Sequence, residues 1–185
     1  MTKEFWANVN VGNAGDAILT GYKGDFKDMP VYDNVISLMG SGDRALDFGC
    51  GVGRNVLALS KSFKQVVGYD LPNMIDLVPE ENRSENREEI RYTTDWELLR
   101  REQFNAVLAS LVFQHIENNE LENYLIALSG MTDKLVLHSR TWIDHSETKV
   151  LPMVEKYFII ESIEEQKDPN SDSDDHFIAV LTPRR

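Results

Sequence analysis

Residues 46–53, LDFGCGVG, hold a short apolar run with an acid inside it, then three glycines at alternate positions. Glycines so spaced let the backbone take left-handed conformations and approach a ligand closely. The stretch therefore predicts a strand running into a turn beneath a nucleotide-like group. The dinucleotide pattern G-x-G-x-x-G does not fit: counted from Gly49 its third glycine falls on Arg54, and counted from Gly51 on Val56. A P-loop fails as well, since no Gly-Lys-Ser/Thr follows. Phosphate is not the evident target. Asp47 points the same way, because a carboxylate at the mouth of the turn repels a pyrophosphate and welcomes an ammonium or sulfonium group.

Apolar periodicity on either side of the turn alternates between helix and strand. A helix opens at Pro30, carries Tyr32, Val35, Ile36 and Met39 on one face and ends at Gly40, and a first strand follows over 45–48. Val56, Leu57, Leu59 and Phe63 mark the next helix, residues 65–69 a second strand, and Pro72 a short helix. Residues 90–93 read as a third strand and FNAVLASLVF as a long fourth one, apolar enough to be buried on both faces. A helix capped by Asn119 presents Leu121, Tyr124, Leu125, Leu128 and Met131, and a fifth strand covers 134–139. YFIIESIEEQ and HFIAVLTPR make a terminal hairpin. The order predicts an α/β fold: a doubly wound, mostly parallel seven-stranded sheet with helices on both faces and a C-terminal antiparallel β-hairpin. Residues 30–185 form one domain in this reading, and residues 1–29, rich in glycine and aromatics, an N-terminal flexible or lid segment.

Composition narrows the partners. A formal charge of −12 disfavours nucleic acid, whose phosphates are bound largely through Lys and Arg. Cys50 is the single cysteine, no apolar run approaches the roughly 20 residues of a membrane span, and MTKEFWANVN lacks the apolar core of a secretory signal. A cytoplasmic protein is expected, with no membrane partner and no metal.

Ligands of doubly wound sheets bind beyond the carboxyl ends of the strands. There Asp70 ends the second strand, placed to accept both hydroxyls of a ribose. Asp47 and Asp70 together suit a nucleoside with a cationic amino-acid arm and no phosphates, which is S-adenosylmethionine. At this point the chain resembles the class I (seven-stranded, Rossmann-like) S-adenosylmethionine-dependent methyltransferases. ALDFGCGVGRN is similar to their motif E/D-x-G-x-G-x-G, VVGYDLPNM to the acidic strand 2 motif and FNAVLASLVFQHI to the strand 4 motif. The resemblance implies that Asp47, Gly49, Gly51 and Gly53 surround the methionine portion and that Asp70 holds the ribose. It places Leu71, Met74, Asp95 and Trp96 at the adenine, and Ser110 and Leu111 near the sulfur. For Asp95 a helix cap is the competing reading.

His115, just past the fourth strand, is the candidate general base or substrate contact. His138, Arg140 and Trp142 follow or end the fifth strand, and Trp6 and Tyr22 come from the N-terminal segment; these are candidate acceptor contacts. The base-methylating motif N/D/S-P-P-Y/F is replaced by SLVF. The expected activity is therefore methyl transfer to a small molecule by in-line displacement, yielding S-adenosylhomocysteine. Two alternatives stay open: a non-catalytic protein of this fold that binds a protein partner, and a different group transfer at the same cofactor site.

Overall fold

The structure is a computed structural model that describes residues 3–18, 25, 30–83, 88–140, 150–167 and 175–185. Two short helices, α1 (Lys3–Ala7) and α2 (Ala14–Ile18), precede α3 (Asp33–Met39). The alternating body runs β1 (Gly42–Phe48), α4 (Arg54–Leu59), β2 (Phe63–Tyr69), α5 (Pro72–Asp76), α6 (Glu80–Arg83), β3 (Ile90–Thr93), α7 (Trp96–Leu99) and β4 (Ala106–Ser110). A 3-10 turn, Phe113–His115, leads into α8 (Asn118–Met131), β5 (Leu135–Arg140), α9 (Leu151–Val154), β6 (Phe158–Lys167) and β7 (Asp175–Pro183).

The seven strands lie in the order β3-β2-β1-β4-β5-β7-β6. The first five positions pair in parallel, and β7 inserts antiparallel between β5 and β6. The expected sheet and terminal hairpin are thus the observed ones. Because β1 neighbours both β2 and β4, the crossovers leave it in opposite directions, and a crevice opens at the carboxyl ends of β1 and β4.

Each strand residue alternates between two cores. Leu46, Phe48, Val107, Ala109, Leu135 and Leu137 pack against Leu121, Leu125, Leu128 and Met131 of α8. On the other face Ala45, Val66, Ala106, Leu108 and Val136 meet Val35 and Met39 of α3 and Val56 and Leu59 of α4. By the same alternation Asp47 shares the α4 face with Ala45. The strand β6 forms one edge of the sheet; it is ten residues long, and its Glu161, Ile163, Glu164 and Glu165 are exposed.

Several boundaries differ from the sequence reading for local reasons. The helix α3 begins at Asp33 rather than Pro30, and Phe63 opens β2 instead of closing α4. The cap of α8 is Glu117, without a side-chain bond, while the Asn119 amide oxygen accepts from Glu120 N–H at 2.9 Å. The fourth strand stops at Ser110 because Leu111 adopts φ 60°, a left-handed turn for a residue that is not glycine. At the amino end, the Asn73 side-chain amide donates to the carbonyls of Trp6 (2.8 Å) and Val9 (3.0 Å), tying residues near α1 to α5. Val9, Ala14 and Ala17 pack there on Val52, Met74 and Leu77.

Candidate active site

The crevice between β1 and β4 is a cleft floored by the glycine turn. Its walls are Tyr69, Asp70, Leu71 and Met74 at and beyond the end of β2, Ser110, Leu111, Val112 and His115 at and beyond the end of β4, and Glu120 and Tyr124 of α8; Trp6 and Ile18 approach from the N-terminal helices. Gly49, Gly51 and Gly53 all have positive φ, 74°, 55° and 82°. A Cβ on Gly49 would lie 2.4 Å from Val112 Cγ2 and one on Gly53 2.5 Å from the Tyr92 hydroxyl. The middle glycine is different: a Cβ on Gly51 would meet only Met74 Cε, at 3.9 Å. Protein packing dictates the outer two glycines, whereas Gly51 leaves bare backbone and open space beside the cleft.

Asp70 closes this turn. Its Oδ2 accepts from Gly51 N–H and its Oδ1 from Leu71 N–H, each at 2.7 Å. Burial pushes its carboxyl up to about 6 against the pull of those two donors. Each oxygen keeps a further lone pair, so the carboxylate can still accept from a diol.

Asp47 was expected at the mouth of the turn. It lies instead beneath it, fully buried on the α4 side and outside the cleft lining, with neither oxygen in a full hydrogen bond. Burial pushes it up to about 7; Arg54 and the Asn55 amide draw it down, and Asp70 pushes it further up. An orphaned acid below an open glycine backbone, with a second acid at the rim, fits an adenosyl group bearing a cationic amino-acid arm.

Beyond β4 the geometry sorts the remaining candidates. Ser110 and Leu111 line the cleft, and Leu111 N–H donates to the His138 carbonyl at 2.7 Å. His138 itself does not reach the cleft. It is buried behind Ser110, with Nδ1 2.9 Å from the Ser110 hydroxyl, Nε2 2.8 Å from His176 Nδ1, and the Tyr32 ring edge-on at 4.8 Å. Burial, then His176, Arg54 and Arg140, push His138 down to about 3, so the ring is neutral. Arg140 is also buried outside the lining. His115 does line the cleft, under the Trp6 ring at 5.3 Å.

Asp95 and Trp96 stand away from the cleft. The Asp95 Oδ1 accepts from Leu98 N–H at 3.0 Å as the cap of α7, and Trp96 packs among Phe48, Tyr69 and Tyr124. Tyr22 and Trp142 lie outside the described residues. Sequence reasoning missed Tyr69, Glu120 and Tyr124. The two tyrosine hydroxyls are 3.4 Å apart, and Tyr124 donates to Glu120 at 3.3 Å. The apolar face of α8 was legible, but not which end of it reaches the cleft. Among the described residues no cluster of three His, Cys, Asp or Glu has metal-binding geometry, and no helix is long and apolar enough to cross a membrane.

Comparison with known proteins agrees with this geometry. Residues 46–131 match a methyltransferase domain model. The matched domain and the seven-stranded fold are similar to those of the class I S-adenosylmethionine-dependent methyltransferases, the class that takes S-adenosylmethionine as its methyl donor. Among solved structures, the N-methyltransferase NodS from Bradyrhizobium japonicum WM9 in complex with S-adenosyl-L-homocysteine superposes with a TM-score of 0.71 at 14% identity, over 94% of this chain and 100% of that one. The PH0226 protein from Pyrococcus horikoshii OT3 gives 0.70 at 16% identity over the whole of both chains. Magnesium protoporphyrin IX methyltransferase (ChlM) from Synechocystis PCC 6803 with bound S-adenosylmethionine gives 0.63 at 17%, over 81% and 77%. No curated protein matches the sequence.

Proposed function

We propose that this protein transfers a methyl group from S-adenosylmethionine to a small-molecule acceptor bound in the cleft between the glycine turn, the post-β4 turn and the N-terminal helices. One observation carries the reading: Gly51 offers open, left-handed backbone beside the cleft while Asp70, hydrogen-bonded to that same glycine, holds a carboxylate at its rim. Asp70 and Leu71 would hold the ribose side of the cofactor, with Met74 as an apolar wall, and the glycine backbone would take the methionine arm. The cofactor supplies an electrophilic methyl on a sulfonium, so the protein's task is alignment. Proximity alone lowers such barriers by up to about 7 to 11 kcal/mol. Ser110 and Leu111 would flank the reacting end. Support for a small acceptor comes from the acidic chain and from a cleft in which, among the described residues, Arg54 is the one Lys or Arg of a lining that includes Trp6, Ile18 and Tyr124.

Calorimetry with S-adenosylhomocysteine tests the reading, using wild type and Asp70→Ala with NAD as control and thermal melting as a check on folding. Micromolar binding to wild type, weakened more than tenfold by Asp70→Ala, is expected, since loss of a charged hydrogen-bond acceptor costs about 1.5 to 3 kcal/mol. No binding by folded wild type overturns the proposal and favours a partner-binding role. Product analysis on acceptors found by a metabolite screen then separates methyl transfer from other group transfers.

A further inference from the structure

The residue before His115 decides what His115 can do. Gln114 is buried, and its Oε1 receives two donors, the Arg140 backbone N–H at 3.0 Å and the Ser139 hydroxyl at 2.9 Å. A backbone N–H can only donate, so the amide oxygen must lie on that side and the orientation of the amide is fixed. The other end, Gln114 Nε2, is 3.1 Å from His115 Nε2. An amide nitrogen also only donates, so His115 Nε2 must accept and carries no proton. The single proton of the neutral ring then sits on Nδ1. No hydrogen bond within the described residues holds Nδ1, and the ring lines the cleft.

We propose that Gln114 is a positioning residue that locks His115 as an Nδ1–H hydrogen-bond donor, so that His115 orients an anionic oxygen of the acceptor, of carboxylate class, and does not act as the base. A base needs a free lone pair, and the one lone pair of this ring is taken by Gln114. Positive charge favours the same ligand: that of Arg140 acts on the ring, against which Trp6 packs tilted by 53° at 5.3 Å. A second proton on Nε2 would confront the Gln114 amide donor, in keeping with a ring that burial, with nearby positive charge, pushes down to about 4. If the acceptor atom must lose a proton, another group or water removes it.

This inference rests on the proposed cofactor site, and its test separates the two. Full-length protein with 15N-labelled imidazoles, loaded with S-adenosylhomocysteine, is studied by two-bond proton–nitrogen correlation from pH 5.5 to 8, the His115 signals being assigned by their loss in His115→Asn. The expected spectrum shows neutral His115 protonated on Nδ1 throughout. Gln114→Glu, whose carboxylate accepts instead of donating, is expected to move the proton to Nε2 and to raise the ring's pKa. An Nε2–H tautomer or an imidazolium in wild type, or a tautomer unmoved by Gln114→Glu, overturns the clamp. Titration with benzoate and with benzylamine then tests the ligand class. A saturable shift of the Nδ1–H proton by benzoate alone supports it; no shift, or an equal one from benzylamine, overturns it. Failure of S-adenosylhomocysteine to bind overturns the cofactor reading and leaves the tautomer measurement valid on the free protein.

Discussion

Ser110, which lines the cleft, holds its hydroxyl 2.9 Å from Nδ1 of His138, a ring buried behind it and itself 2.8 Å from His176. A residue of the cleft wall is thus braced from inside the sheet through β4, β5 and β7. Ser110→Ala leaves a buried imidazole nitrogen without its partner, which costs about 1 to 3 kcal/mol. Urea denaturation should show that loss while S-adenosylhomocysteine affinity changes less than in Asp70→Ala. An unchanged midpoint would mean that the bond contributes nothing.

Buried histidines and buried acids set opposite pH dependences. In the folded chain His138 is pushed down to about 3 and His115 to about 4, so below their ordinary 6.5 the unfolded chain takes up more protons and stability falls as pH drops. Asp47 and Asp70, raised from 3.8 to about 7 and about 6, act in reverse: their contribution is complete below about pH 3.8 and is lost as pH rises through 6 and 7. Asp47→Asn should therefore stabilise the ligand-free protein more at pH 8, on the order of 3 kcal/mol, than at pH 5. Melting temperatures at the two values give the comparison, and equal shifts would contradict it.

The glycines should separate folding from binding. Gly49→Ala forces a methyl to 2.4 Å from Val112 and strains a left-handed φ, so a lowered melting temperature or failure to fold is expected. Gly51→Ala has room within the protein and costs only about 1 kcal/mol of backbone strain. Its methyl occupies ligand space, so S-adenosylhomocysteine binding should fall at least tenfold while the fold survives. Retained binding by Gly51→Ala would remove the open-backbone argument.

Asn73 should govern the N-terminal cover. Asn73→Ala removes the donor to the Trp6 and Val9 carbonyls, worth about 1 kcal/mol per bond. Hydrogen exchange should quicken over residues 3–18 with little change in β1, β4 or β5. Uniform acceleration across the sheet would mean that the amide supports the whole domain instead.

What was legible in the sequence was what repeats or what tolerates few substitutes. The apolar runs of the strands, the helical face of α8 and the glycine spacing gave the fold class and the turn, because each follows from backbone geometry and burial alone. Depth was not legible. Asp47 and His138 sit on strands at positions that also suit a cleft contact, and only packing of α3 and α4 against that face reveals that both are buried behind the cleft. Asp95 shows the same limit, since a carboxylate before WELL serves a helix cap as readily as an amino group. The tautomer of His115 depends on Gln114 and Arg140, twenty-six residues apart in sequence and joined only by the fold.

The exposed outer strand β6 has a bearing on colloidal behaviour. A ten-residue edge carrying Ile159 and Ile163 is a template on which a second molecule can add a strand, and Glu161, Glu164 and Glu165 alternate with that apolar surface. Their mutual repulsion across an incipient contact, added to a chain of formal charge −12, is what keeps such edges apart. Acidification toward the sequence pI of about 4.7 removes the repulsion before it removes the edge, so turbidity should begin there while the sheet is still folded.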